Sequence, residues 1–262
     1  MVQTHSEPQT GAAITGAPGG MTIRRIADIG GAEVTGQDLS QPLSPETRDA
    51  IYAAFLEHFI LVFPDQDLDP AAQEAFSRNF GDLEGNVRRL APGVLAPLVN
   101  LVTNMDDSGN PTETPPTHGN HFLHTDKSYR PAPSPATILN ETLVPSSGGA
   151  QPFAKTGMAY DALPEARKRE IDSLIVEHSI FHSRAKIGFT DYSEGARREL
   201  PPVQQVLVRK LPESGRKALY LAAHASHVIG WPVEEGRKLL AELTEFATRP
   251  EFVYSHRWRA GD

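Results

Sequence analysis

The 262-residue chain contains no cysteine. That absence removes disulfides, thiolate nucleophiles, cysteine-ligated zinc and iron–sulfur clusters together, and leaves the redox compartment open. Basic charge is also in short supply, with 25 Lys and Arg against 33 Asp and Glu and a formal net charge of −8. Nucleic-acid binding needs a dense cationic surface to release counterions, so it is not expected; a few local arginines would still suffice to hold a small anion. No apolar run reaches the roughly eighteen residues that a membrane helix needs. The opening MVQTHSEPQTGAAITGAPGG lacks the basic and apolar regions of a secretory signal. A cytoplasmic protein without membrane contact is therefore expected. Phosphate-loop, dinucleotide-fold and nucleophile-elbow signatures are missing too, which leaves nucleotide, NAD and serine-hydrolase chemistry without support.

What remains is a soluble, globular balance of 39% hydrophobic and 22% charged residues. Residues 1–20 read as a disordered leader or an overlong start, and 21–262 as a single domain. Ser44-Pro45-Glu46 opens a helix that carries Ile51, Phe55 and Leu56 at helical spacing. Phe59 to Phe63 reads as a buried strand. Asp69-Pro70 starts a second helix through Phe80, closed by Gly81. Residues 84–120 read as a long polar loop, more in keeping with a lid or binding loop than a linker. The β-branched run Thr137 to Val144 reads as a strand, Pro164 as the start of a helix, and 206–210 and 218–223 as short strands joined by Pro212-Glu213-Ser214-Gly215. Pro232 opens a helix with Val233, Leu239, Leu240, Leu243 and Phe246 on one side, before a strand at Phe252-Val253-Tyr254. Short strands mixed with helices, without βαβ alternation, predict a mainly β fold: a double-stranded β-helix, or jelly roll, dressed with surface helices.

The chemistry concentrates in His118-Gly119-Asn120-His121-Phe122-Leu123-His124-Thr125-Asp126, which holds three of the ten histidines. In extended chain, residues i and i+2 project to one side, so His124 and Asp126 can reach one point. An imidazole and a carboxylate completed by a distant histidine make the facial triad that leaves positions open on iron(II). Taken alone the pair reads more readily as a histidine packed against a carboxylate than as metal ligands. His118, His121 and His124 with Asp126 also suit zinc, although the helical His-Glu-x-x-His arrangement of a hydrolase is absent.

The wider text carries more. Phe59 to Phe63, Phe80-Gly81-Asp82-Leu83-Glu84-Gly85, His124-Thr125-Asp126-Lys127-Ser128-Tyr129, Val144 to Gly149 and Ala159 to Pro164 follow one another in an order that continues to the C-terminus. There Asp191-Tyr192-Ser193-Glu194, Ser214 to Lys217, Ala223-His224-Ala225-Ser226-His227-Val228 and Phe252 to Trp258 complete it. Over residues 22–262 this order resembles the taurine dioxygenase and 2,4-dichlorophenoxyacetate dioxygenase family, and within it the aryloxyalkanoate branch.

The resemblance implies an iron(II)- and 2-oxoglutarate-dependent dioxygenase, with His124 and Asp126 as metal ligands and Asn120 beside the cosubstrate, a position that also reads as a loop cap. The implied reaction couples decarboxylation of 2-oxoglutarate to succinate with hydroxylation of a C–H bond next to oxygen or sulfur. An aryloxyacetate would then break down to a phenol and glyoxylate. The expected partners are O2 and a small acid, in a homo-oligomer. Arg88, Arg89, Lys127 and Ser128 are candidate anchors for the acid, and His224 and His227 candidate pocket residues; each also reads as ordinary surface or core. Gln151 stands where the family has a threonine that touches 2-oxoglutarate, and Leu123 where an aromatic residue often precedes the first iron histidine. The family carries a third metal histidine and a carboxylate-clamping arginine past the block that ends here at Asp262, so His256 is not expected to be a ligand. A two-ligand chain of this kind is expected either to be impaired, acting as a binding protein, or to be a fragment of a longer product.

Overall fold

The structure, a computed structural model, describes residues 14–83, 98–106, 108–110, 112, 122–146 and 148–262. In chain order the elements are β1 (Ile14–Thr15), β2 (Thr22–Arg25), β3 (Ala32–Thr35), α1 (Pro45–His58), β4 (Leu61–Val62), α2 (Pro70–Ser77), β5 (Gln151–Ala154), α3 (Thr156–Ala162), α4 (Glu165–Ile171), β6 (Ile175–His178), α5 (Ile180–Ala185), α6 (Glu194–Glu199), β7 (Val203–Val206), β8 (Val208–Lys210), β9 (Lys217–Leu219), β10 (Ala225–Val228), α7 (Val233–Ala247) and β11 (Val253–His256). The strands form four small sheets, accompanied by helices. Two compact units result, Met1–Asn100 with Ile138–Lys155 and Val253–Asp262, and Leu101–Thr137 with Thr156–Phe252.

In the first unit, β1, β2, β3 and β4 lie in sequence order, with β2 antiparallel and β4 parallel to β3. Helix α1 starts where expected, because Ser44 accepts a hydrogen bond from the Thr47 amide and Pro45 follows at the first turn. Its end corrects the sequence reading. Phe59 adopts a left-handed φ of 60° and caps the helix, so only Leu61–Val62 of the expected 59–63 strand pairs. Asp69 caps α2 by accepting from the Ala72 amide, and a 3-10 turn, Arg78–Phe80, completes the second helix before Gly81. Met21, Val34, Ile51 and Phe76 form the buried centre of this unit, and Phe76 meets Phe63 and Phe80 edge-on. Antiparallel β5 and β11 set Gln151 opposite His256.

The expected strand at 137–144 is not formed. Leu139 and Leu143 are exposed, and Glu141 makes a single isolated backbone bridge to the chain's last residues, its amide donating to the Asp262 carbonyl and its carbonyl accepting from Gly261. The Asn140 side chain donates to the Leu68 carbonyl. An apolar, β-branched run with no partner strand stays irregular whatever its propensity.

The second unit is built on the antiparallel sheet β10-β6-β7 and the hairpin β8-β9. Helix α7 covers that sheet with Gly236, Leu239, Leu240, Leu243 and Ala247, the recurrence of an amphipathic helix, while Glu234 and Glu235 favour its positive N-terminal end. Val233 faces outward at 44% exposure, contrary to the sequence reading. Gly236 permits close approach: a Cβ there would lie 2.8 Å from the Val228 amide nitrogen on β10. Val176, Leu207, Leu219 and Val228 join α7 in the core beneath. Each such side chain removed from water contributes about 1.5–3 kcal/mol before the entropic cost of ordering it.

Candidate metal centre

The second unit holds the His-x-Asp pair. Residues 123–125 are irregular and belong to no strand, contrary to the extended run the sequence suggests. Two contacts hold them beside the segment before β10: the Ala223 amide donates to the Leu123 carbonyl at 2.9 Å, and the Thr125 hydroxyl donates to the Leu221 carbonyl at 3.3 Å. The chain then turns through Asp126 to Tyr129, with Lys127 at a left-handed φ of 54° and the Ser128 amide returning to the Thr125 carbonyl.

Within that turn His124 Nε2 and Asp126 Oδ1 stand 3.1 Å apart. The other ring nitrogen, Nδ1, lies 2.9 Å from the Phe122 carbonyl, and a carbonyl only accepts, so Nδ1 carries hydrogen and Nε2 faces the carboxylate. Asp126 Oδ2 accepts from the Thr137 hydroxyl at 2.5 Å. Metal bonds to imidazole and carboxylate run about 2.0–2.2 Å, so two such donors at right angles sit about 3 Å apart. The separation and the oriented tautomer both fit a shared divalent cation. The Asp126 carboxylate raises the His124 pKa against the opposing effect of burial, and the His124 ring lowers that of Asp126. Among the described residues no group of three His, Cys, Asp or Glu side chains could hold a metal.

His224 belongs to the same neighbourhood. Its Nδ1 meets the Ser183 hydroxyl of α5 at 2.8 Å and its ring meets Tyr129 edge-on at 4.8 Å. Burial pushes its pKa down to about 4, helped by the positive charge of His124, so it is a neutral hydrogen-bonding group at pH 7.

The remaining candidates are placed differently. Ser128 is fully buried and its hydroxyl meets His178 Nδ1 at 3.1 Å, beneath the Asp126 turn. The Gln205 side chain of β7 donates to the Ser128 and Arg130 carbonyls, so two strands clamp that turn. His227 is engaged with the Ser226 hydroxyl at 2.8 Å and lies 3.8 Å from Glu177. Gln151 sits half-buried on β5 in the first unit. His256 is engaged with Asp262 at 3.1 Å on Nε2 and with the Tyr254 hydroxyl at 3.1 Å on Nδ1. Asn120, Arg88, Arg89, His118 and His121 lie outside the described residues. Sequence reasoning missed Thr137, Ser183 and His178, since no spacing links them to the pair.

A family model described as "Taurine catabolism dioxygenase TauD, TfdA family" matches residues 22–262. The chain belongs to the TauD/TfdA dioxygenase family. This TauD/TfdA member is 42% identical over 233 residues to the alpha-ketoglutarate-dependent 2,4-dichlorophenoxyacetate dioxygenase of Burkholderia sp. (strain RASC), covering 86% of this chain and 78% of that protein. It is 34% identical to the (S)-phenoxypropionate/alpha-ketoglutarate-dioxygenase of Sphingobium herbicidovorans, over 88% of this chain and 81% of that protein. Among solved structures it resembles AAD-2 in complex with Mn(II) and N-oxalylglycine, with a TM-score of 0.82 and 38% identity over 92% of this chain and 85% of that one. The class expected from the sequence blocks, a 2-oxoglutarate-dependent dioxygenase, is the class of this TauD/TfdA member.

Proposed function

We propose that this dioxygenase hydroxylates the carbon beside the ether oxygen of a small aryloxyalkanoate. The atoms balance as substrate, 2-oxoglutarate and O2 giving hydroxylated product, succinate and CO2; the product hemiacetal then opens to a phenol and an oxoacid. The observation that carries this reading is the 3.1 Å convergence of His124 Nε2 and Asp126 Oδ1, in a chain 42% identical to a 2,4-dichlorophenoxyacetate dioxygenase.

Iron(II) and 2-oxoglutarate, when bound, would activate O2, the oxidant, with two of its four electrons drawn from decarboxylation of 2-oxoglutarate and two from the substrate C–H bond. The chain supplies position. His124 offers Nε2 because the Phe122 carbonyl holds the hydrogen on Nδ1, and Asp126 offers Oδ1 because Thr137 occupies Oδ2. His224, oriented by Ser183, donates or accepts one hydrogen bond without adding charge. Asn120 and Gln151 are assigned to the cosubstrate and Arg89 and His227 to the substrate pocket, whereas Ser128, fully buried against His178, is placed to support the Asp126 turn rather than to touch substrate.

A double-stranded β-helix core is part of the same proposal, supported by the likeness to the AAD-2 structure. So is a homo-oligomeric enzyme acting in the cytoplasm on a free acid rather than on nucleic acid. Among the described residues no helix is long and apolar enough to cross a membrane. The test is to load the protein anaerobically with Fe(II), add 2-oxoglutarate and O2, and measure succinate and phenol across aryloxyacetates, aryloxypropionates, sulfonates and aliphatic acids. Aryloxyalkanoates should raise succinate release above the no-substrate rate and yield phenol. Release indifferent to every acid overturns the proposal.

A further inference from the structure

We propose that Arg184, together with the Tyr192 hydroxyl, binds the carboxylate of the acid substrate and so sets the preference for acids over neutral aryl ethers. This rests on the function proposed above and deepens it.

Arg184 follows Ser183 on α5, and Ser183 is the residue that holds His224. The backbone folds back at this point, because the Ile187 and Phe189 amides both donate to the Arg184 carbonyl, at 3.1 Å each. That fold brings Tyr192 against Phe181 of α5, with ring centroids 4.4 Å apart, and against Phe189 at 4.9 Å. The Tyr192 hydroxyl is buried and has no hydrogen-bond partner among the described residues. A buried hydroxyl left unpaired is costly, so such groups mark places where a ligand completes the bonding. The Arg184 guanidinium is half-buried, and no ion pair to it occurs among the described residues. Its charge reaches His124, His224 and Tyr192.

The other described cations near this point are engaged. Lys186 donates to the Ala223 carbonyl at 3.2 Å, and Arg197 lies over the Phe181 and Tyr192 rings. In a chain of net charge −8, an arginine with no ion pair among the described residues, one helical turn from the Phe181 ring that packs on Tyr192 and next to the serine that holds His224, is a site for an anion. Its planar fork suits a carboxylate, which can accept from Arg184 and Tyr192 together.

The experiment compares phenoxyacetate with phenoxyethanol, a neutral probe of similar shape, on the iron-loaded wild type and on Arg184→Gln, Arg184→Lys and Tyr192→Phe. For Arg184→Gln the preference in kcat/KM for acid over alcohol should fall about 10- to 100-fold, the loss of charge-assisted hydrogen bonds. The change should sit in KM for the acid, with KM for 2-oxoglutarate within about twofold. Arg184→Lys should recover part of the preference, because it restores charge but not the fork; Tyr192→Phe should lose a smaller part. An unchanged preference, or equal losses for both probes, overturns the assignment. Calorimetric titration of phenoxyacetate into wild type and Arg184→Gln reads the site without turnover. Weaker binding to the variant supports the assignment even if no succinate forms, in which case only the proposed reaction fails. Equal binding, or none to wild type, overturns it.

Discussion

The Thr137 hydroxyl donates to Asp126 Oδ2 across 2.5 Å, which leaves Oδ1 as the oxygen that faces His124. Partners of this kind orient a ligand as much as the ligand's own backbone does, and removing one typically weakens metal binding by about 10- to 100-fold. Thr137→Val keeps the shape and deletes the donor. It is expected to weaken Fe(II) or Mn(II) affinity by about tenfold, the low end of that range, because Thr137 is exposed. Anaerobic metal titration measures this, and an unchanged dissociation constant would show that the hydroxyl does not orient the carboxylate.

Removing either donor of the pair should be far more damaging. His124→Ala and Asp126→Ala are expected to lose stoichiometric metal while keeping the circular-dichroism spectrum of the wild type, since both side chains are partly exposed, at 29% and 45%. Retained metal in either variant would move the centre elsewhere.

His178 links stability to pH. Burial holds its pKa at about 4 in the folded chain against an ordinary value of 6.5, so on acidification the unfolded chain takes up the proton first. The stabilisation is complete above about pH 6.5 and is lost between there and pH 4, a change on the order of 3 kcal/mol. Urea denaturation of wild type and His178→Gln between pH 7.5 and 4.5 checks this. The wild type should lose stability more steeply on acidification, and parallel curves would contradict the assignment.

Helix α7 supplies two packing tests. Leu243 is 2% exposed in the core of the second unit, and Leu243→Ala should cost about 2–5 kcal/mol. Gly236→Ala would place a methyl 2.8 Å from the Val228 amide nitrogen and should cost about 1–3 kcal/mol through overpacking. Thermal unfolding measures both. A neutral Gly236→Ala would mean that α7 can ride higher on β10.

The elements legible in the sequence were those whose signal is local. Helix α1 follows from Ser44 and Pro45, and α7 from the spacing of Leu239, Leu240 and Leu243. The His-x-Asp spacing of His124 and Asp126 was legible as a short local motif, although the two side chains meet across a turn, in a segment tethered to residues 221–223, rather than on one face of a strand. Thr137 to Val144 misled because β-propensity says nothing about whether a partner strand exists. The contacts that tune the site were hidden for a related reason. His224 is one hundred residues from His124 in the sequence, and only the fold of α5 and β10 brings Ser183 to it.

The most direct measurement of the central claim is a turnover under 18O2 with the iron-loaded protein, 2-oxoglutarate and phenoxyacetate. If this chain runs the coupled oxidation, succinate carrying a single 18O atom and phenol should appear in equal amounts, and both should vanish in Asp126→Ala. Succinate without the label, or phenol formed independently of 2-oxoglutarate, would contradict it.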